Sequence, residues 1–245
     1  MRISIIFNNI ADIKELETSW GFAAVIETLE HNLLFDTGSD GKILLSNMKE
    51  MELNPASINA VFLSHIHYDH TGGLQEFLKT NPNVTVYIPH ESFPVSFQQD
   101  ILEPGSKIET ISKPSKIMNN FYSTGVMGTA IKEQSLIIDS REGLIVVTGC
   151  AHPNMVDIAS LAKDYLDKDI YLLMGGFHLK GKNNKEIQEV IDQLQKLGVK
   201  KVAPSHCTGD KAINIFQECW ENDFIKSGCG TIIEIPWQRK ILLSV

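Results

Sequence analysis

Ser64-His65-Ile66-His67-Tyr68-Asp69-His70-Thr71-Gly72-Gly73 sets three histidines and one carboxylate within six residues. Crowded neutral imidazoles gain little from one another, so donors at this density and order read as ligands gathered for a cation rather than as a solvated loop. The preceding Ala60 to Ser64 is a short apolar run of the kind that makes a buried strand. If the extended conformation continues, His65 and His67 project to one side, because side chains alternate along a strand. Asp69 and His70 then arrive from another direction, where Gly72-Gly73 turns the chain. A small cation takes only about four to six ligands, so this supply suits two neighbouring metals better than one.

The 245 residues, 43% hydrophobic and 21% charged, have the make-up of an ordinary globular α/β domain. A net charge of -8, without a Lys/Arg cluster interleaved with aromatics, argues against a nucleic-acid surface. Met1 to Phe7 is apolar but stops at Asn8-Asn9, too short for a signal core, and no run approaches the roughly 18 apolar residues of a membrane span. The expectation is a cytoplasmic protein acting on a small molecule, phosphorylated or not, with neither nucleic acid nor membrane as partner. Cys150, Cys207, Cys219 and Cys229 form no C-x-x-C pair, which disfavours a zinc ribbon. Cys150 and Cys207 stand beside histidines and read as small buried hydrophobes or as thiols near the site.

Ile3 to Phe7 reads as a strand, Ala11 to Trp20 as irregular, and Ala23 to Leu29 with Leu33 to Phe35 as a hairpin. Asp36 ends that hairpin; it either accepts hydrogen bonds from the histidine loop or opens an Asx turn before a helix over Gly41 to Glu52. A helix at Leu74 to Leu78 and a strand at Val84 to Ile88 complete a parallel unit with the histidine loop at the carboxyl end of its first strand, where α/β sheets place sites. Residues 89–129, punctuated by Pro89, Pro94, Pro104 and Pro114, read as a lid or insertion. A hairpin follows over Ala130 to Asp139 and Gly143 to Thr148. From there one grammar recurs: apolar strand, glycine or proline, histidine, helix. It yields Gly149-Cys150-Ala151-His152-Pro153, Gly175-Gly176-Phe177-His178 and Pro204-Ser205-His206-Cys207-Thr208-Gly209, followed by helices at Asn154 to Leu166, Lys185 to Leu197 and Asp210 to Trp220.

His65-x-His67-x-Asp69-His70 after a strand, with Asp36 upstream and His152 and His206 downstream, resembles the metallo-β-lactamase superfamily over nearly the whole chain. Gly149 to Pro153, Gly175 to Leu179 and Ser205 to Gly209 together resemble its dihydropteroate-synthase-like branch, some members of which are named for a step of methanopterin biosynthesis. The resemblance implies an α/β fold, an αββα sandwich formed by one domain over residues 1–245, with two divalent metal ions at one edge. Zinc is the first expectation, manganese or iron the others. By resemblance His65, His67 and His152 bind one metal, Asp69, His70 and His206 the other, and Asp36 braces the loop. Most superfamily members bridge the metals with an aspartate where this chain reads Gly175-Gly176, which leaves His178 as the nearest group to compensate, as ligand or as proton donor.

The implied chemistry is a metal-bound hydroxide attacking an ester, lactone, thioester or phosphoester, with Asp69 and His178 as catalytic residues. A second reading is a transferase on a pterin-like or phosphoribosyl substrate, whose stacking and phosphate-binding pocket would draw on Phe177, His178, Lys180 and Tyr122. A third is an iron-holding redox or non-catalytic metal protein, suggested by the glycine pair and the nearby thiols.

Overall fold

The computed structural model describes residues 1–237. One sheet runs β1 (Arg2–Phe7), β2 (Ala23–Glu27), β3 (Asn32–Phe35), β4 (Ala60–Phe62), β5 (Thr85–Pro89) and β6 (Lys107–Ile111) in that spatial order. The other runs β7 (Ser115–Met118), β8 (Phe121–Ser123), β9 (Leu136–Asp139), β10 (Leu144–Thr148), β11 (Ile170–Gly176) and β12 (Lys201–Ser205). β13 (Ile232–Glu234) returns to pair antiparallel with β1.

Alternation along the strands decides the layering. In β1, β10 and β11, the residues Ile3, Ile5, Ile145, Val147, Leu172 and Met174 meet in a core between the two sheets. Their neighbours Ile6, Val146 and Leu173 point outward into two further cores. Helices α1 (Gly41–Glu50) and α3 (Leu74–Thr80) cover the first sheet through Leu44, Met48, Leu74 and Phe77. Helices α5 (Met155–Leu166), α6 (Asn184–Lys196) and α7 (Asp210–Trp220) cover the second through Ile158, Ile187, Ile191 and Phe216. The result is an αββα sandwich whose central strands are apolar on both faces because both faces are covered. Phe35 and Phe62 stack across adjacent strands at 5.6 Å in the central core, and truncating either to alanine would cost about 3–5 kcal/mol.

Each sheet ends in a parallel set, β3 to β6 in the first and β10 to β12 in the second. Asp36 follows β3, the histidine loop follows β4, and His152, His178 and His206 follow β10, β11 and β12. Parallel strands thus gather the candidate donors at one edge.

Residues 89–129, expected as a lid or insertion, are built into the sheets. They hold helix α4 (Val95–Leu102), β6 and the hairpin β7–β8, so they finish one sheet and begin the other. The strand expected from Ala130 starts only at Leu136, and Glu133, Gln134 and Ser135 before it are buried polar residues. Among the described residues no helix is long and apolar enough to cross a membrane.

Candidate metal centre

β4 ends at Phe62, so strand alternation does not orient the histidines; hydrogen bonds do. Asp36, wholly buried, accepts from Ser64 N at 2.7 Å on Oδ1 and from Ser64 Oγ at 2.7 Å on Oδ2. With its proton given to Asp36, the Ser64 hydroxyl accepts from His65 Nδ1 at 2.9 Å, and His70 Nδ1 donates to Asp36 Oδ2 at 2.7 Å. Both imidazoles therefore turn Nε2 inward. His65 Nε2 lies 3.1 Å from His67 Nδ1, so the second histidine offers its other nitrogen. His67 caps the short helix α2 (Tyr68–Thr71), which carries Asp69 and His70 round the turn.

The second sheet's donors are fixed from far along the chain. Glu133 Oε1 accepts from Cys150 N at 3.0 Å and Ala151 N at 2.9 Å, while Oε2 accepts from His152 N at 2.9 Å. Gln134 ties the same segment to the first sheet, with Nε2 donating to Leu63 O at 2.9 Å and its backbone N–H to Ser64 O at 2.9 Å. His206 Nδ1 donates to Asn9 Oδ1 at 3.0 Å, again leaving Nε2 inward. Asp36, Ala151, His178 and His206 all hold a positive φ, between 50° and 59°. Such backbone in non-glycine residues is costly and gathers at functional sites.

Two donor groups result, Asp69–His70–Cys150–His206 and His65–His67–His152, the donor atoms of each lying within 4.8 Å of one another. Cys150 Sγ is 3.3 Å from His70 Nε2, and His206 Nε2 is 3.2 Å from Asp69 Oδ2. His152 Nε2 and His206 Nε2 are buried without an aligned hydrogen-bond partner. Orphaned inward nitrogens are costly unless a cation takes their lone pairs, and this donor set fits divalent metals.

The electrostatics agree. Burial, then the neighbouring His70, His152, His67 and His206, hold His65 well below the ordinary histidine range. Burial, His178 and His67 bring His152 to about 4. Both are neutral at pH 7, the form that ligates. Burial works to raise Asp69, but its contacts with His206 and His70 outweigh it and hold the carboxyl well below its usual range. Burial likewise opposes charge on His70, yet Asp36 prevails and raises it. Cys207 is held low by Cys150 and His178, against burial, while Cys150 is pushed up by Cys207 and by burial. A cation beside Cys150 would reverse that order, since a coordinated thiol is deprotonated.

The glycine pair has a steric cause. A Cβ at Gly175, where φ is +105°, would collide with Thr148 O, and one at Gly176 with Gly149 O and Cys207 Sγ. No bridging aspartate fits there. Cys150 supplies a donor from the neighbouring strand end instead.

All six histidine and aspartate ligands expected from the sequence converge, and Asp36 braces His70. His178 stands at the rim, its ring 4.4 Å from that of His152, within reach of a third grouping with Cys150. The expected substrate residues do not share one pocket. Phe177 is buried against Phe216 yet lines the cavity of His178, and Tyr122 packs on Tyr165 under the second sheet. His178 and Lys180 line separate cavities. Glu133, Asn9 and the bracing role of Ser64 carried no local signal in the sequence, whereas Cys150 was marked only by standing two residues before His152.

The sequence pattern of the metallo-beta-lactamase superfamily matches residues 21–158. The chain is 32% identical over 251 residues to the 7,8-dihydropterin-6-methyl-4-(beta-D-ribofuranosyl)-aminobenzene-5'-phosphate synthase of Methanocaldococcus jannaschii, covering 84% of this chain and 85% of that one. This chain belongs to the metallo-β-lactamase superfamily. The synthase supports its place in the dihydropteroate-synthase-like branch. A crystal structure described as a metal-dependent hydrolase of the β-lactamase superfamily superposes with a TM-score of 0.84 at 24% identity, over 96% of this chain and 99% of that one. The metallo-beta-lactamase fold protein YhfI of Bacillus subtilis follows with a TM-score of 0.69 at 16% identity, over 95% and 99%. Both carry the same fold.

Proposed function

We propose that this protein is a metal-dependent hydrolase of an ester, lactone, thioester or phosphoester. The observation that carries the reading is the pair of adjoining donor groups with unpartnered, buried nitrogens at a sheet edge open to two cavities. His65, His67 and His152 would hold one cation and Asp69, His70, Cys150 and His206 the other, with zinc suited to both sets. When bound, such cations polarise the scissile group and lower the pKa of a water to near ~7. The chain's own part is orientation and proton handling. Asp36, Ser64 and Asn9 hold the Nδ1 protons of His70, His65 and His206, so that each Nε2 faces the reacting group. His178 sits half-open at the rim; contact with Cys207 raises its pKa against burial, which suits it to protonate a leaving oxygen or sulfur.

The likeness to a synthase supports a second reading, group transfer on a pterin-like or phosphoribosyl substrate. The deciding experiment combines metal analysis of protein purified without added metal with a screen of esters, thioesters and phosphoesters before and after chelation. About two zinc ions per chain and chelator-sensitive hydrolysis are expected. His178→Ala should keep the metals while kcat falls by about 10²-fold. A fully loaded protein that hydrolyses none of these classes would end the hydrolase reading in favour of transfer.

A further inference from the structure

Leu179 and Lys182 line both of two cavities that border the metal centre, one at His152 and the other at His206. On the His152 side the walls include His178, Glu186 and Glu189. On the His206 side a cavity of about 330 Å³ is lined by Trp20, Lys180, Lys182 and Lys211, with Asp210 its one carboxylate. Three lysines converging beside a ligand histidine run against the background of a chain whose net charge is -8.

The basic side is built, not draped. Lys180 Nζ lies 4.4 Å from the centroid of the Trp20 ring, and that ring lies 4.7 Å from the ring of His206. Trp20 is 44% exposed, yet the backbone just after it is pinned to the metal centre. Gly21 N donates to Asn9 Oδ1 at 3.2 Å, the same oxygen that takes the His206 proton, and Phe22 N donates to Asp69 O at 3.3 Å. Gly21, at φ +147°, has no room for a Cβ beside Asp69 O. Lys182 is paired with Glu186 at 2.9 Å and Lys211 reaches only the carbonyl of Lys182 at 3.4 Å, whereas among the described residues Lys180 makes no ion pair. The indole face therefore keeps an uncompensated ammonium beside His206.

We infer that the cavity between Trp20 and Lys211 holds the phosphoryl group of an organic phosphate substrate, with Lys180 as its main contact. Two ammonium groups without an ion-pair partner among the described residues, Lys180 and Lys211, beside a third already paired with Glu186, match a dianion better than a carboxylate. The apolar walls Ile10, Leu179 and Ala212 leave space for the organic part. The inference rests on the hydrolase reading only in taking the phosphate as part of the substrate. It places the anion in the His206-side cavity and leaves the His178 side for the departing portion.

Benzylphosphonate, whose P–C bond is not hydrolysed, serves as probe, with benzyl alcohol as the uncharged control. Both are titrated calorimetrically into metal-loaded and chelator-treated protein. The chelated protein should bind the phosphonate at least about tenfold more tightly than the alcohol, and Lys180→Gln and Lys211→Gln should each weaken it about tenfold. Lys180→Arg should retain binding, which separates lost charge from misfolding. Phosphonate binding that disappears on chelation, or that survives both Gln substitutions unchanged, would overturn the subsite. Metal content is read on the same samples: a metal-free native protein that still binds the phosphonate through Lys180 removes the hydrolase reading and leaves the subsite standing.

Discussion

The first sheet delivers His65, His67, Asp69 and His70 on one short loop, whereas the second delivers His152, His178 and His206 singly from the ends of three adjacent strands. The loop's donors brace one another through Asp36 and Ser64. The strand-end residues depend instead on a separate partner for each, Glu133 for His152 and Asn9 for His206. A local motif can thus hold its shape with one buried carboxylate; dispersed donors need a separate support for each.

Replacing His67 by alanine attacks the compact loop at a donor, and should lower activity by more than the ~10- to 100-fold typical of losing a supporting partner. Elemental analysis should show the loss of at least one metal; unchanged content would remove His67 from the ligand set. Cys150→Ser tests the dispersed side. It should weaken the second metal by about 10- to 100-fold, and the cobalt-substituted protein should lose its sulfur-to-metal charge-transfer band. A cobalt spectrum identical in the two proteins would mean that Cys150 is only packing.

Glu133→Gln tests whether distant supports matter as argued. It leaves the amide of His152 facing an NH2 group, for a loss of about 1–3 kcal/mol in urea unfolding with weaker metal binding. Full stability would refute the bracing role. The smallest effect expected is on the pH profile of the metal-free protein. Folding holds His152 neutral down to about 4, below the ordinary 6.5. The unfolded chain therefore gains a proton first, and stability falls as pH drops from about 6.5 towards 4. His65 acts in the same direction, and His70, raised by Asp36, acts against it. His152→Gln should flatten the acid loss of the urea midpoint and His70→Gln steepen it; equal slopes would mean the two imidazoles share one environment.

The sequence made the loop legible because its donors are contiguous, and made the later histidines legible because each ends an apolar strand. Glu133 was hidden: Lys132-Glu133-Gln134-Ser135 falls within the run that reads as a strand from Ala130, and its burial depends on amides 17 to 19 residues further on. Edge strands misled for a related reason. β6 buries only one of its five residues fully, so it lacks the apolar rhythm that marks a strand, and the prolines around it suggested an insertion. Tyr122 reads as a substrate aromatic, but its ring packs on Tyr165, whereas Phe177 packs on Phe216 and still lines the cavity of His178. Trp20, in an irregular stretch, took the place beside His206 instead.

Gln134 has one more consequence. Its side chain donates to carbonyls of both Leu63 and Tyr87, beneath the histidine loop, while Glu133 next to it grips the strand end that carries Cys150 and His152. Adjacent residues thereby clamp the two sheets at the depth of the donors, so the gap between the donor sets is dictated by the polypeptide. Swapping one cation for another would then alter occupancy and reactivity while leaving the spacing nearly constant, and ions would be selected by how well their radius suits a fixed gauge.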